Sequence, residues 1–301
     1  MAISYQPLPA APSLGSLYSR AMSRTARLMM TRGSGATALP TTGYAVSGLC
    51  GDAGQLSRYQ HLLGEPGTDV LPAGYVHVLA FPLAMAVMVR EDFPLPVLGM
   101  VHVANRVVQH RPVLLGEELS VRAHAADPRG HRRGTLVDLV VTVAAGDDVV
   151  WEGTSTYLSP GHRLPGTTAP EDAAESRRDA AAGSAPTAPA SAVWQLGREV
   201  ATQYAAVSGD RNPIHTSRVG ARVLGFPQPI AHGMYTAARA LAHVGRFRGD
   251  TFTWEVEFAK PVLLPGRVAL SLDPAGEAVR YAGRHPKSGR VHFTGSVMPH
   301  V

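Results

Sequence analysis

The chain has 301 residues, enough for two domains of ordinary size and one or two buried cores. At 45% hydrophobic and 17% charged it has globular composition, and no apolar run reaches the roughly 18 residues of a membrane span, because Pro72, Gly74, His77 and Pro82 interrupt residues 70–89. Twenty-eight basic against 23 acidic residues favour anionic partners, while an aromatic content of 6% without interleaved basic clusters argues against nucleic acid and leaves no reason to expect a membrane partner.

Residues 1–43 hold Arg20, Arg24, Arg27 and Arg32 ahead of the first acidic residue, Asp52. A transit peptide has that pattern, but the Ala, Gly and Arg bias runs through the whole chain, so an extended arm packed on the core and a cytoplasmic protein are expected. The single cysteine, Cys50, excludes an internal disulfide and suits a reducing compartment. It follows Gly48 and Leu49 in an apparent opening strand and is expected to be a buried, inert thiol. Tyr59 and Gly64 come next, then an apolar stretch, 76–89, that reads as a buried helix.

Arg111-Pro112-Val113-Leu114-Leu115-Gly116 opens a β-rich stretch: 119–123 alternates, 135–145 is valine-rich and 149–158 alternates again, with a hairpin turn expected at Asp127-Pro128-Arg129-Gly130. Residues 161–192, rich in Ala, Pro, Gly, Ser and Thr, have the composition of a flexible connector. Beyond it the order repeats. Tyr204 and Gly209 keep the spacing of Tyr59 and Gly64, an apolar helix is expected at 234–244, and Lys260-Pro261-Val262-Leu263-Leu264-Pro265-Gly266 opens strands at 268–272, 278–282 and 290–298 with a turn at 286–289. With His77 matched to His232, the second copy carries about ten extra residues after its tyrosine. Each copy is one buried helix followed by an antiparallel meander, giving 44–160 and 193–301 as two α+β halves.

Those extra residues hold Ser208-Gly209-Asp210-Arg211-Asn212-Pro213-Ile214-His215. Asn212 and Pro213 have the grammar of a helix start, with Asp210 before the cap and His215 in the first turn. A turn fixed by Gly209 and Pro213 can fold carboxylate and imidazole toward one water, an acid and base pair that works near neutral pH. The same residues also suit an Asx turn followed by an ordinary polar first turn. Downstream, Ala231-His232-Gly233-Met234 opens the second buried helix, where the Gly233 amide can meet developing negative charge. A plain loop glycine beside a satisfied core histidine, His232, is the alternative.

The two segments resemble the MaoC-like, or hydratase 2, (R)-specific enoyl-CoA hydratases, and in particular the two-domain bacterial 3-hydroxyacyl-thioester dehydratases, over about residues 44–300. The resemblance implies a double hotdog: two antiparallel sheets, each wrapped round a central helix, packed as an intramolecular pair. It implies that the second half is catalytic and that the first, which lacks Asp-x-Asn-Pro-x-His, leaves room for the acyl chain. It further implies reversible hydration of trans-2-enoyl thioesters in fatty-acid metabolism, with Asp210 and His215 catalytic, Gly233 supplying the oxyanion N–H, and Gly209, Asn212 and Pro213 holding the loop. No metal or cofactor is expected, CoA or acyl carrier protein phosphopantetheine entering as part of the substrate, and monomer and homodimer are both open. Arg284, Lys287 and Arg290, like Arg129, Arg132 and Arg133 in the first copy, are candidate phosphate contacts or simply solvated turns. An acyl-thioester hydrolase and a non-catalytic acyl-thioester-binding partner subunit are the rival readings.

Overall fold

The computed structural model describes residues 3–31, 36–168, 186 and 188–300. Most of the expected connector, 169–185 and 187, lies outside the described residues.

The chain opens with β1 (Ser4–Pro7) and α1 (Leu14–Thr31). The first repeat follows as β2 (Thr42–Leu49), α2 (Ala53–Leu63), α3 (Ala73–Met88), β3 (Val101–Gln109), β4 (Leu119–His131), β5 (Gly134–Ala145) and β6 (Asp148–Pro160). The second is β7 (Ala192–Leu196), α4 (Glu199–Ser208), α5 (Pro213–Thr216), α6 (Arg218–Val223), α7 (Gly233–Val244), β8 (Phe252–Phe258), β9 (Gly266–Ala275), β10 (Ala278–Arg284) and β11 (Val291–Pro299). The described strands form one sheet of eleven, in the order β1-β2-β4-β5-β6-β3-β8-β11-β10-β9-β7. The two halves are mirror images in that order, and β3 pairs antiparallel with β8 from Ala104↔Glu257 to Gln109↔Phe252, closing the seam between them. This is the expected double hotdog.

Sequence explains the layers. In β5, Val137, Leu139, Val141 and Val143 are buried and the residues between them are not, the period of two that turns one face of a sheet onto a core. α3 is buried almost all round, as its largely apolar sequence demands, and the strands of the first repeat wrap it. The central helices of the two halves meet closely: a Cβ on Gly74 of α3 would lie 3.1 Å from Ala238 Cβ of α7 and 2.4 Å from the Tyr59 hydroxyl. The paired tyrosines Tyr59 and Tyr204 are both buried, with ring centroids 6.5 Å apart. Their glycines cap α2 and α4 in the left-handed region, Gly64 at φ 76° and Gly209 at φ 73°, where L side chains are strained. A carboxylate follows each glycine. Glu65, 3% exposed, is locked to Arg248 by two 2.9 Å hydrogen bonds, whereas Asp210 faces a pocket.

Four expectations need correction. Residues 1–43 are not simply an extended arm, because Leu14, Leu17, Tyr18 and Ala21 recur at helical spacing and dock α1 on the core, Leu17 and Ala21 being fully buried. Asp127–Gly130 is a bulge within β4, with the register shifting between Ala126 and Arg129, and the hairpin turns at Arg132 and Arg133. Cys50 is exposed. The residue that occupies the position of His232 in the first repeat is Pro72: each is the N-cap of its central helix, and Leu71 N–H bonds to Val113 C=O as Ala231 N–H does to Val262 C=O. Thirteen residues thus separate Tyr59 from Pro72, against 28 from Tyr204 to His232, an insertion longer than the His77 pairing gives.

Candidate active site

The insertion folds by short-range capping. Ser208 Oγ donates to Tyr204 C=O at 2.8 Å and accepts the Asp210 N–H at 3.2 Å, so α4 ends where its last hydroxyl turns back. Asp210 Oδ1 accepts the Asn212 N–H at 3.1 Å, an Asx turn, and Asn212 Oδ1 accepts the Ile214 N–H at 3.2 Å, capping α5 with Pro213 at its start. The Asx turn is therefore present, and it serves the other reading, since it aims Asp210 and His215 at one place. Their donor atoms and those of His232 all lie within 4.8 Å of one another.

His215 is buried, and its Nδ1–H donates to the Ile230 carbonyl at 2.8 Å, which fixes the tautomer and leaves Nε2 with its lone pair. Burial, reinforced by the neighbouring His232, pushes the imidazole down to about 3, so it is neutral at physiological pH. For Asp210, burial raises the carboxyl, but the His232 and His215 imidazoles, the Tyr18 hydroxyl and the Asn212 N–H outweigh it and hold the group below its ordinary value. The result is an ionised carboxylate beside a neutral imidazole, two groups able to accept a proton. His232 caps α7 and stacks on His215 with centroids 3.7 Å apart. Its Nε2–H donates to the Asp210 carbonyl at 3.0 Å, and its buried Nδ1 has no partner among the described residues. It is thus part of the cluster, not a satisfied core histidine; its place beside Gly233 was the available signal.

Gly233 is the first residue of α7, where backbone N–H groups lack intrahelical acceptors and the helix dipole is positive. A Cβ there would stand 3.0–3.2 Å from three ring carbons of Phe258, so only glycine leaves the amide open to the pocket. The pocket, a cavity of about 190 Å³, takes walls from both halves. Phe81, Met85, Met88, Val97, Leu98 and Met100 of the first half line an apolar arm, and His77, His102 and Tyr157 also face the cavity. Burial depresses His77 to about 4 and His102 to about 3.

Tyr18 also lines this pocket, from α1, and its hydroxyl donates to Asp210 Oδ1. Sequence reasoning missed it; the apolar stripe that makes α1 a helix was the only signal. The cationic candidates divide. Arg284 donates to the Pro186 carbonyl and Arg129 pairs with Asp138 at 2.8 Å, whereas Lys287 and Arg290 are exposed on the hairpin that leads to pocket-lining His292. Among the described residues no helix is long and apolar enough to cross a membrane.

The family model described as MaoC like domain matches residues 179–292. The chain is 34% identical over 260 residues to 3-hydroxyacyl-thioester dehydratase X of Mycobacterium tuberculosis, covering 86% of this chain and 90% of the relative. The crystal structure of HtdX from the same organism superposes with a TM-score of 0.74 at 33% identity, over 85% of this chain and 99% of that one. A shorter stretch, 50 residues and 16% of this chain, is 63% identical to 2% of the fatty acid synthase subunit beta of Aspergillus oryzae.

Proposed function

The chain belongs to the MaoC-like dehydratase family, and on that premise we propose that it interconverts trans-2-enoyl and (R)-3-hydroxyacyl thioesters, a hydro-lyase reaction of fatty-acid metabolism. The observation that carries the mechanism is the meeting of Asp210, His215 and His232, with polar atoms within 4.8 Å of one another, at the N-cap of α7. A water held by Asp210 and His215 Nε2 adds its oxygen to C3 of the enoyl group while His215 takes one of its protons. Electron density passes to the thioester oxygen, which rests on the Gly233 amide. The enolate then collapses, and C2 takes the proton from His215 on the same face. One water is consumed and nothing is oxidised or reduced. Because the thioester itself makes C3 electrophilic, the chemistry calls for neither metal nor redox cofactor. In reverse the same groups remove water.

The apolar arm suits acyl chains longer than crotonyl, and its lining by methionines suits chains of varied shape. CoA or the phosphopantetheine of acyl carrier protein enters as part of the substrate, with Lys260 lining the pocket and Lys287 and Arg290, exposed on the nearby hairpin, as candidate phosphate contacts. Each half supplies the other with a paired neighbour, so a monomer is sufficient and a homodimer is compatible. The single cysteine fits the cytoplasm.

The test follows crotonyl-CoA and a longer trans-2-enoyl-CoA by loss of the enoyl absorbance, with a thiol reagent alongside. Stereospecific loss without thiol release, abolished by Asp210→Asn and by His215→Ala, is the expected result. Thiol release would replace the proposal by a thioesterase, and no turnover with either CoA or carrier-protein substrates by a binding subunit.

A further inference from the structure

The dyad is not complete within the two repeats. Asp210 Oδ1 takes two donors, the Asn212 N–H from its own loop and the Tyr18 hydroxyl from α1, a helix outside both hotdogs. With Oδ1 so engaged, Oδ2 is the oxygen turned to the imidazoles, 3.9 Å from His232 Nε2. α1 is fixed where it can do this. Leu17 and Ala21 are fully buried, Arg24 donates to the Phe93 carbonyl, and Leu14 covers Gly209 so closely that a Cβ there would stand 2.6 Å from Leu14 Cδ1. The N-terminal helix thus touches the loop at both 209 and 210. β1 anchors the segment by pairing parallel with β2.

We infer that Tyr18 is a positioning residue of the active site: by donating to Oδ1 it fixes the Asp210 carboxylate and presents Oδ2 to the reacting water. This rests on the hydratase reading of the site. A hydrogen bond to a charged acceptor is about twice as strong as a neutral one, so the contact is large enough to orient a side chain. Burial, followed by the Asp210 charge, raises the Tyr18 phenol far above its ordinary value, so it stays a donor throughout the working range. The other titratable groups facing Asp210 are His77, His102, His215, His232, Tyr157 and Tyr204. None of them donates to Oδ1 in its place among the described contacts.

Full-length wild type, Tyr18→Phe and Met22→Ala separate the possibilities, Met22 being an exposed neighbour on the same helix. Two readouts are taken: kcat and KM for a medium-chain trans-2-enoyl-CoA across pH, and the carboxyl titration of Asp210 by carbon NMR on aspartate-labelled protein, assigned with Asp210→Asn. Tyr18→Phe keeps the ring and its packing, and a urea midpoint verifies the fold. It should lower kcat about tenfold or more with KM within about twofold, and move both the acid limb of kcat and the Asp210 titration up by about one pH unit. Met22→Ala should change neither. An Asp210 titration in Tyr18→Phe identical to wild type overturns the inference, whatever the activity. Absence of turnover in wild type would instead overturn the hydratase reading, and the titration would still decide the Tyr18 contact.

Discussion

Replacing Gly209 by alanine, with Gly64 as its twin, separates the cost of a left-handed residue from the packing of α1 on the loop that carries Asp210. The two glycines occupy equivalent caps at φ 73° and 76°. An alanine held there costs about 1 kcal/mol in either copy. The surroundings differ: a Cβ on Gly64 meets nothing within 4 Å, whereas one on Gly209 meets Leu14 Cδ1 at 2.6 Å. Leu14 then leaves its rotamer at about 0.5–1.5 kcal/mol, or α1 shifts and carries Tyr18 from Asp210. Gly64→Ala should therefore lose about 1 kcal/mol in urea denaturation with kcat unchanged, and Gly209→Ala about 2 kcal/mol with kcat down severalfold. In a double-mutant cycle with Leu14→Ala, the shortened side chain removes the collision, and a coupling of about 1 kcal/mol is expected. Equal effects of the two glycine substitutions on kcat, or a coupling of zero, would refute this account of how α1 bears on the loop.

Gly233→Ala should lower kcat/KM by about tenfold or more, because the new methyl must displace the Phe258 ring at 3.0 Å and crowds the oxyanion amide; steady-state hydration kinetics read this, with the urea midpoint reporting any loss of stability. Arg248→Met strands Glu65, 3% exposed, without its partner, and should cost about 3 kcal/mol of stability in a urea titration with little change in kcat. Acidification should unfold the protein in a predictable window. His77, His102 and His215 are neutral in the folded chain down to about 4, 3 and 3, so the unfolded chain takes up more protons between about pH 6.5 and pH 4, and stability falls as pH falls through that range, by up to about 4 kcal/mol per unit. Urea midpoints at pH 8, 6 and 5 check the sign and the slope. Finally, Lys287→Ala with Arg290→Ala should raise KM for acyl-CoA in a salt-dependent way and leave kcat unchanged; an unaltered KM at low salt would remove both from the substrate site.

The repeat and the turns that shape the candidate site were legible because they are local. The Tyr–Gly spacing, the Asn–Pro helix start and the alternation of β5 each depend on a few adjacent residues, and each survives in the fold. What escaped was set by tertiary contact. Of the two strands that form the seam, β3 offers a weak signal, since Val101–Ala104 is only half-buried, whereas β8 alternates Phe252, Trp254, Val256 and Phe258 with polar residues and was legible though not singled out. His77 offered a tempting partner for His232, yet the helix caps align Pro72 instead, and a cap position is defined by where backbone bonds begin. Cys50 followed an apparent strand but lies just beyond it, at the sheet margin, where its thiol meets solvent. Tyr18 lies 192 residues from Asp210, and nothing in the spacing of either residue points to the other.

The seam between β3 and β8 changes what dilution can do. The pocket draws its apolar wall and Tyr157 from one half and Asp210 and His215 from the other, so in a pair of separate chains it would exist only while the two were associated. Here both walls belong to one chain and are joined directly by the β3–β8 pairing. Assembling this pocket from its two halves therefore calls for no second chain. Because each half no longer has to serve as its own partner, a change that suits one wall of the pocket is never forced onto the other.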